Sequence, residues 1–294
     1  PPPQSKKNTK ATKHAAHFAK SGQRSVDKSV VEKRLDSACK SALLDLSLPR
    51  NVVGEQGPEL PPSFRVVPTA IFQRPELTQQ LRQLWLTNHQ LMSLPPEIYR
   101  LEKLQVLGVG GNCLSALPDE LRSMATLECL YLERNRFHVL PSTLELPHQL
   151  RELHLDHNSL TVFPLQITKL RLLNRLGLSH NQIQAVPAQI GRLHNLVELD
   201  LDYNQIGPDL PHEFASLRHM ERLGLEGNCL AHLPESLNKL PSLTYVRISG
   251  NCSFTSQVTV ETSASSGGRA TRRIDGYFQT TQTSHHHADA DEEC

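Results

Sequence analysis

The sequence predicts an α/β solenoid, a right-handed horseshoe with a parallel β-sheet on its concave face, on two in-phase signatures and one absence. The first signature runs through LRQLWLTNHQL from Leu81, LQVLGVGGNCL from Leu104, LECLYLERNRF from Leu127 and LRELHLDHNSL from Leu150. It continues through LNRLGLSHNQI from Leu173, LVELDLDYNQI from Leu196, MERLGLEGNCL from Met220 and LTYVRISGNCS from Leu243. The step is 23 residues, and 24 where Gly207 and Pro208 add one. The second is an apolar residue followed by proline, from Val67-Pro68 and Leu94-Pro95 through to Leu233-Pro234. The absence is of CxxC pairs: Cys39, Cys113, Cys129, Cys229, Cys252 and Cys294 are too scattered for a disulfide framework.

Each position of the repeat has a physical reason. Leu153 and Leu155 alternate around His154, so the leucines face a core and the histidine faces solvent from a short strand. Asn112, Asn135, Asn158, Asn181, Asn204, Asn228 and Asn251 fall where the chain leaves that strand. A buried Asn there can donate to and accept from backbone groups that the bend leaves unpaired. Proline opens the convex segment, where its fixed φ suits a turn or a first helical position. One such unit cannot bury its own apolar edge, whereas a stack of them makes one continuous core.

The pattern LxxLPxxIxxLxxLxxLxLxxNxL resembles the intracellular Ras-group leucine-rich repeats, over roughly residues 64–253. That resemblance implies a binding scaffold, not an enzyme, with small GTPases, phosphatases or scaffold proteins as partners of the concave face. Before this frame, SALLDLSLPR reads as a degenerate first strand with Leu44 and Leu46 inward, so the solenoid spans residues 44–253, one irregular repeat and eight regular ones. Residues 25–43 carry apolar positions at helical spacing (Val26, Val30, Val31, Leu35, Ala38, Cys39, Ala42) with Ser25 as N-cap, and are expected to cap the first repeat. Residues 254–294, rich in Ser, Thr and Gly, read as a polar tail without fixed structure.

Charge divides the chain further. Residues 1–34 are locally +7, residues from Cys252 onward −3, and the net charge is +1. Within residues 1–24, Lys6, Lys7, Lys10, Lys13, Lys20 and Arg24 form a basic arm suited to RNA, acidic cytoskeletal surfaces or anionic lipid. The stretch ATKHAAHFAK also fits a mitochondrial presequence, against which its Lys-over-Arg bias speaks. No apolar run nears the ~18 residues of a membrane span. A reducing compartment is therefore expected, cytoplasmic first, with cytoskeleton or flagellum, nucleus and mitochondrion as alternatives. Asn251-Cys252-Ser253 is read as a chance sequon.

Chemistry is sparse. Gly108-Val109-Gly110-Gly111 is explained by the repeat, with Val109 inward, and no Lys-Ser/Thr pair follows to make it a phosphate loop. The cysteines lack a positioned base. His285-His286-His287 with nearby acids lies in a tail that fixes no ligand geometry. No catalytic residue, metal or cofactor is expected. In the tail, Ile274, Tyr277 and Phe278 resemble a sliding-clamp-binding box in which Thr271 replaces the usual Gln, or form an apolar island that docks on the solenoid or on a partner.

The expected partner surface is therefore the outward face of the strands: Trp85, Tyr131, His154, Asp200 and Arg247 in one column, with Asp156, Glu198, Asp202, Tyr203, Arg222 and Tyr245 beside them. Flanking columns add Glu128, Glu133, Glu152, Glu221 and Glu226 against Arg82, Arg134, Arg151 and Arg175. Trp, Tyr and Arg favour interaction hot spots. Glu198, Asp200 and Asp202 on one strand suggest docking of a basic partner in preference to a metal. The competing expectation is a structural subunit of a ribonucleoprotein or microtubule assembly, anchored by the basic arm.

Overall fold

The computed structural model describes residues 28–48, 63–233, 237, 239–251 and the backbone of 273–275. The basic arm, Ser25, Tyr277, Phe278 and most of the tail lie outside these residues.

Within them the chain builds one open sheet with strands in strict sequence order, β1 to β10, each parallel to the last. The strands are β1 (Leu43–Asp45), β2 (Gln83–Trp85), β3 (Val106–Gly108), β4 (Cys129–Tyr131), β5 (Glu152–His154), β6 (Arg175–Gly177), β7 (Glu198–Asp200), β8 (Arg222–Gly224), β9 (Tyr245–Arg247) and β10 (Arg273–Asp275). Each is three residues long because the repeat supplies only one residue between its two inward leucines before the Asn turn. The register aligns the repeats residue for residue: Leu107, Leu130, Leu153, Leu176, Leu199 and Leu223 follow one another across the sheet. All six are essentially inaccessible to solvent, as are their partners such as Val109, Leu132 and Leu155.

The Asn column forms a ladder along this core. The Nδ2 of Asn158 donates to Leu155 O at 3.0 Å and to Leu132 O of the preceding repeat at 3.1 Å. Its Oδ1 accepts from Phe137 N–H at 3.1 Å. Asn112, Asn135, Asn181, Asn204, Asn228 and Asn251 repeat the arrangement, each tying its own bend to the one before. In the β2 repeat the role falls to His89, whose imidazole bonds Leu46 O through Nε2 at 2.8 Å and accepts Phe64 N–H at Nδ1. One residue before this column the backbone is left-handed at every repeat, at Asn88, Gly111, Arg134, His157, His180, Tyr203, Gly227 and Gly250.

The convex side is made of five-residue 3-10 turns, among them Pro96–Arg100, Asp119–Ser123, Leu165–Lys169, Ala188–Arg192 and His212–Ser216. The prolines Pro95, Pro118, Pro164, Pro187 and Pro211 sit at the cap position with φ between −76° and −66°, one residue before the first helical one. Each turn buries an apolar residue such as Ile98, Leu121, Ile167, Ile190 or Phe214, and the 23-residue step leaves no room for longer helices. The β4 repeat lacks its 3-10 turn, and Gln166 of the next repeat reaches in to donate to Leu140 O and Pro141 O.

At the N-terminal end, α1 (Lys28–Ser41) packs on β1 through Leu35 and Ala38. Leu44 and Leu46 are fully buried behind β1. An ion pair between Asp36 and Arg74 ties α1 to the short helices α2 (Ala70–Gln73) and α3 (Pro75–Gln80). At the other end, Arg273–Asp275, within the segment expected to lack structure, pairs in register with β9.

Candidate functional site: the concave face

The residue between the inward leucines of each repeat points into the concavity, and parallel register stacks these residues into a column: Trp85, Gly108, Tyr131, His154, Gly177, Asp200, Gly224, Arg247. Adjacent strands stand about 4.8 Å apart, close to the stacking distance of aromatic rings. Tyr131 and His154, on adjacent strands, stack with centroids 5.0 Å apart and 9° between planes. Trp85 lies two strands from Tyr131, yet their centroids are 5.2 Å apart. Gly108 makes this reach possible, since a Cβ there would collide with the six-membered ring of Trp85. The result is a three-ring stack across four strands.

Its chemistry is set by acids around it. Tyr131 Oη donates to Glu152 at 3.0 Å, and burial together with that carboxylate pushes the phenol pKa up, so it stays protonated. Burial pulls His154 toward neutrality, but the carboxylates of Asp156, Glu133 and Glu152 outweigh it and raise its pKa above the ordinary value. Burial likewise works against the Asp156 anion. Its contact with His154 Nδ1, at 3.5 Å, and its bonds from Ser179 N–H and Oγ–H, at 2.9 and 2.8 Å, prevail and lower its pKa. Burial pushes the Cys129 thiol up, away from the thiolate a nucleophile needs.

The C-terminal half is a different surface. Glu152, Arg175, Glu198 and Arg222 alternate in sign on neighbouring strands, with N···O distances of 2.9, 3.7 and 2.8 Å. Arg247 reaches across β8 to Asp200 at 3.0 Å and Asp202 at 2.7 Å. Asp202 is 3% exposed and also accepts Glu226 N–H; burial, with Asp200 beside it, pushes its pKa up to about 7. Glu198, Asp200 and Asp202 are thus each compensated by arginines of this chain, and Asp202 serves the fold from beneath the surface. Tyr245 lines the cleft above Arg222 and Arg247. A basin of about 740 Å3 joins the two halves, lined by Tyr131, His154, Asp156, Arg175 and Asp200 among others.

A second stack runs along the left-handed column. His157 and His180 lie 4.2 Å apart, His180 and Tyr203 4.5 Å apart, and Tyr203 Oη donates to Glu226 at 2.7 Å. Tyr203 therefore belongs to a rim, not to the strand face, and His157 and His180 join it there. Sequence reading did not single out these two histidines. Their shared position one residue before each Asn was the available signal.

Among the described residues no group of three His, Cys, Asp or Glu side chains is arranged to hold a metal. No helix among them is long and apolar enough to cross a membrane.

A family model described as a leucine-rich repeat region matches residues 142–258. No curated protein matches the chain. Among solved structures, the chain is 30% identical to the leucine-rich-repeat ectodomain of the plant membrane receptor kinase GASSHO1/SCHENGEN3 from Arabidopsis thaliana, in complex with CASPARIAN STRIP INTEGRITY FACTOR 2. That match covers 65% of this chain and 23% of the ectodomain, with a TM-score of 0.51. An internalin from Listeria monocytogenes is 20% identical over 62% of this chain and 54% of its own, with a TM-score of 0.55. A leucine-rich-repeat protein of Leptospira interrogans is 23% identical over 74% of this chain and 76% of its own, with a TM-score of 0.42. The chain thus spans less than a quarter of the receptor ectodomain and about half of the internalin. By its repeat, by its sheet and by its likeness to the receptor ectodomain and the internalin, the chain has the fold of a leucine-rich-repeat solenoid.

Proposed function

We propose that the chain is a non-catalytic scaffold that holds a protein partner on its concave face, with the Trp85–Tyr131–His154 stack as the centre of contact. The observation that carries this reading is the stack itself. Three rings aligned on rigid strands present amphipathic surface at little cost in side-chain entropy, which is the make-up of an interaction hot spot. The likeness to a receptor ectodomain with a bound factor is in keeping with it. The Ras-group resemblance makes a small GTPase, a phosphatase or a cytoskeletal subunit the partner class, and a cytoplasmic setting the first choice.

Affinity capture of the full chain, with bound proteins identified by mass spectrometry at low and high salt, tests it. Trp85→Ala with Tyr131→Ala is expected to lose the partner that native protein keeps through high salt, by about tenfold or more in affinity, as hot-spot truncation does. If the double variant retains that partner, the concave reading fails. If instead replacement of Lys6, Lys7, Lys10, Lys13 and Lys20 by Gln releases everything bound, the chain is an assembly subunit anchored by its arm, and binding to phosphate would fall steeply with salt.

A further inference from the structure

The strand face around Trp85 holds a carboxylate with one oxygen that no donor among the described residues satisfies. Gly108 and Gly110 are two residues apart on the outward side of β3 and its extension. The Trp85 ring covers Gly108 from β2, and the Glu133 carboxylate covers Gly110 from the β4 side; a Cβ at either glycine would collide with its cover. The two bare backbone positions therefore form a shallow floor on which an indole and a carboxylate lie side by side. Val106 and Cys129, both part-buried and uncharged, continue that floor on the neighbouring column.

Glu133 differs from the acids around it. Glu128 faces Arg151, Glu152 holds Tyr131 and Arg175, Asp156 holds His154 and Ser179, and Asp200 holds Arg247. Glu133 Oε2 is buried with no hydrogen-bond partner among the described residues. His154 lies near enough to feel its charge, but the Nδ1 of that ring is engaged by Asp156. A buried carboxylate oxygen without a donor has lost its water with nothing in exchange, and such groups are rarely retained without a reason.

We propose that this floor is a receptor for one arginine side chain of the protein partner, its guanidinium on the Glu133 carboxylate and its stem against Trp85, Val106 and Cys129. The proposal rests on the concave face being the partner surface and names what that surface recognises. Arginine fits better than lysine because its planar head can pair with a carboxylate through two N–H groups while lying flat on an indole. Rotation about the last bond of Glu133, a soft torsion, turns either oxygen outward. The compensated arginine–acid ladder of β5 to β8 offers such a cation no free counter-charge, so the site lies at the β2–β4 end of the concavity.

Trp85 is the single tryptophan of the chain, so its fluorescence reports on this position alone. The probe is the blocked peptide Gly-Gly-Arg-Gly-Gly, titrated into the full chain beside the same peptide carrying citrulline or lysine. The arginine peptide is expected to shift Trp85 emission with a Kd of order 1 mM, as a lone side-chain contact allows, and citrulline to bind about tenfold more weakly. Lysine is expected between them. Glu133→Gln, nearly isosteric, is expected to keep the circular dichroism and melting temperature and to abolish the preference for arginine over citrulline. Equal responses to arginine and citrulline, or an undiminished preference in Glu133→Gln, would overturn the proposal. If the partner captured above is lost on altering Trp85 and Tyr131 but is indifferent to Glu133→Gln, the concave reading stands and this inference falls.

Discussion

At the scale of single residues, the fold depends on side chains that replace missing backbone partners. Asn158 serves three main-chain groups in two repeats, Leu132 O, Leu155 O and Phe137 N–H. Asn158→Ala orphans Phe137 N–H in the interior, at roughly 1–3 kcal/mol, and removes one of two donors from Leu132 O and Leu155 O, which keep Asn135 and Asn181, at roughly 0.5–1.5 kcal/mol each. The expected loss is about 3 kcal/mol in denaturant unfolding, and a loss under 1 kcal/mol would remove the ladder from any account of stability. Sequence made this ladder legible because one residue type recurs at fixed phase. It hid His89 for the same reason: the chemistry is retained with a different side chain, so a search for Asn passes over it. The ring stack was half legible. Trp85, Tyr131 and His154 could be placed in one column, but the bridge from Trp85 to Tyr131 depends on Gly108, whose contribution is an absence of atoms.

At the scale of elements, the strands agree closely with the repeat because inward leucines alternate with period two and nothing competes with that pattern. The convex turns were less legible: proline suits a cap, a turn or a first helical residue, and only three-dimensional spacing selects the 3-10 form. The alternating row Glu152, Arg175, Glu198, Arg222 is visible at repeat spacing in the sequence. Its meaning, that the charges satisfy one another, required the distances. Such half-exposed pairs contribute about 0–1 kcal/mol each, so they shape specificity more than stability. The end of α1 carries a clearer energetic mark. Ala42 has φ of 58°, with its N–H bonded to Ala38 O at 2.9 Å, in a position usually given to glycine. A Cβ in this conformation costs about 1–2 kcal/mol, partly offset by the greater chain entropy of glycine when unfolded. Ala42→Gly is therefore expected to stabilise the cap by about 0.5–1 kcal/mol; calorimetry showing destabilisation would mean that the Ala42 methyl has a packing role that outweighs its strain.

At the scale of the whole molecule, two buried titrating groups give stability opposite dependences on pH. Burial lowers the pKa of His89, so the folded state holds it neutral while the unfolded chain takes a proton near pH 6.5. Stability from this site is present above pH 6.5 and is lost as pH falls below it. Asp202 is raised from 3.8 to about 7, so the folded state binds a proton that the unfolded chain has released. Its contribution is largest below pH 3.8 and declines as pH rises toward 7. Melts of Asp202→Asn against native protein between pH 4 and 8 are expected to show the variant gaining relative stability with rising pH, and His89→Asn gaining as pH falls from 7 to 5. Parallel melting curves would show that neither group changes its proton affinity on folding.

The pairing of Arg273–Asp275 with β9 has a consequence for how copies of this chain meet. A stack of parallel strands is a polymer with two reactive ends, because the last strand of one molecule presents the groups that the first strand of another could use. Here α1 terminates one end, and a strand from further along the same chain covers β9 at the other. The open edge at that end therefore belongs to β10, whose three residues make a template too short to favour the addition of another copy.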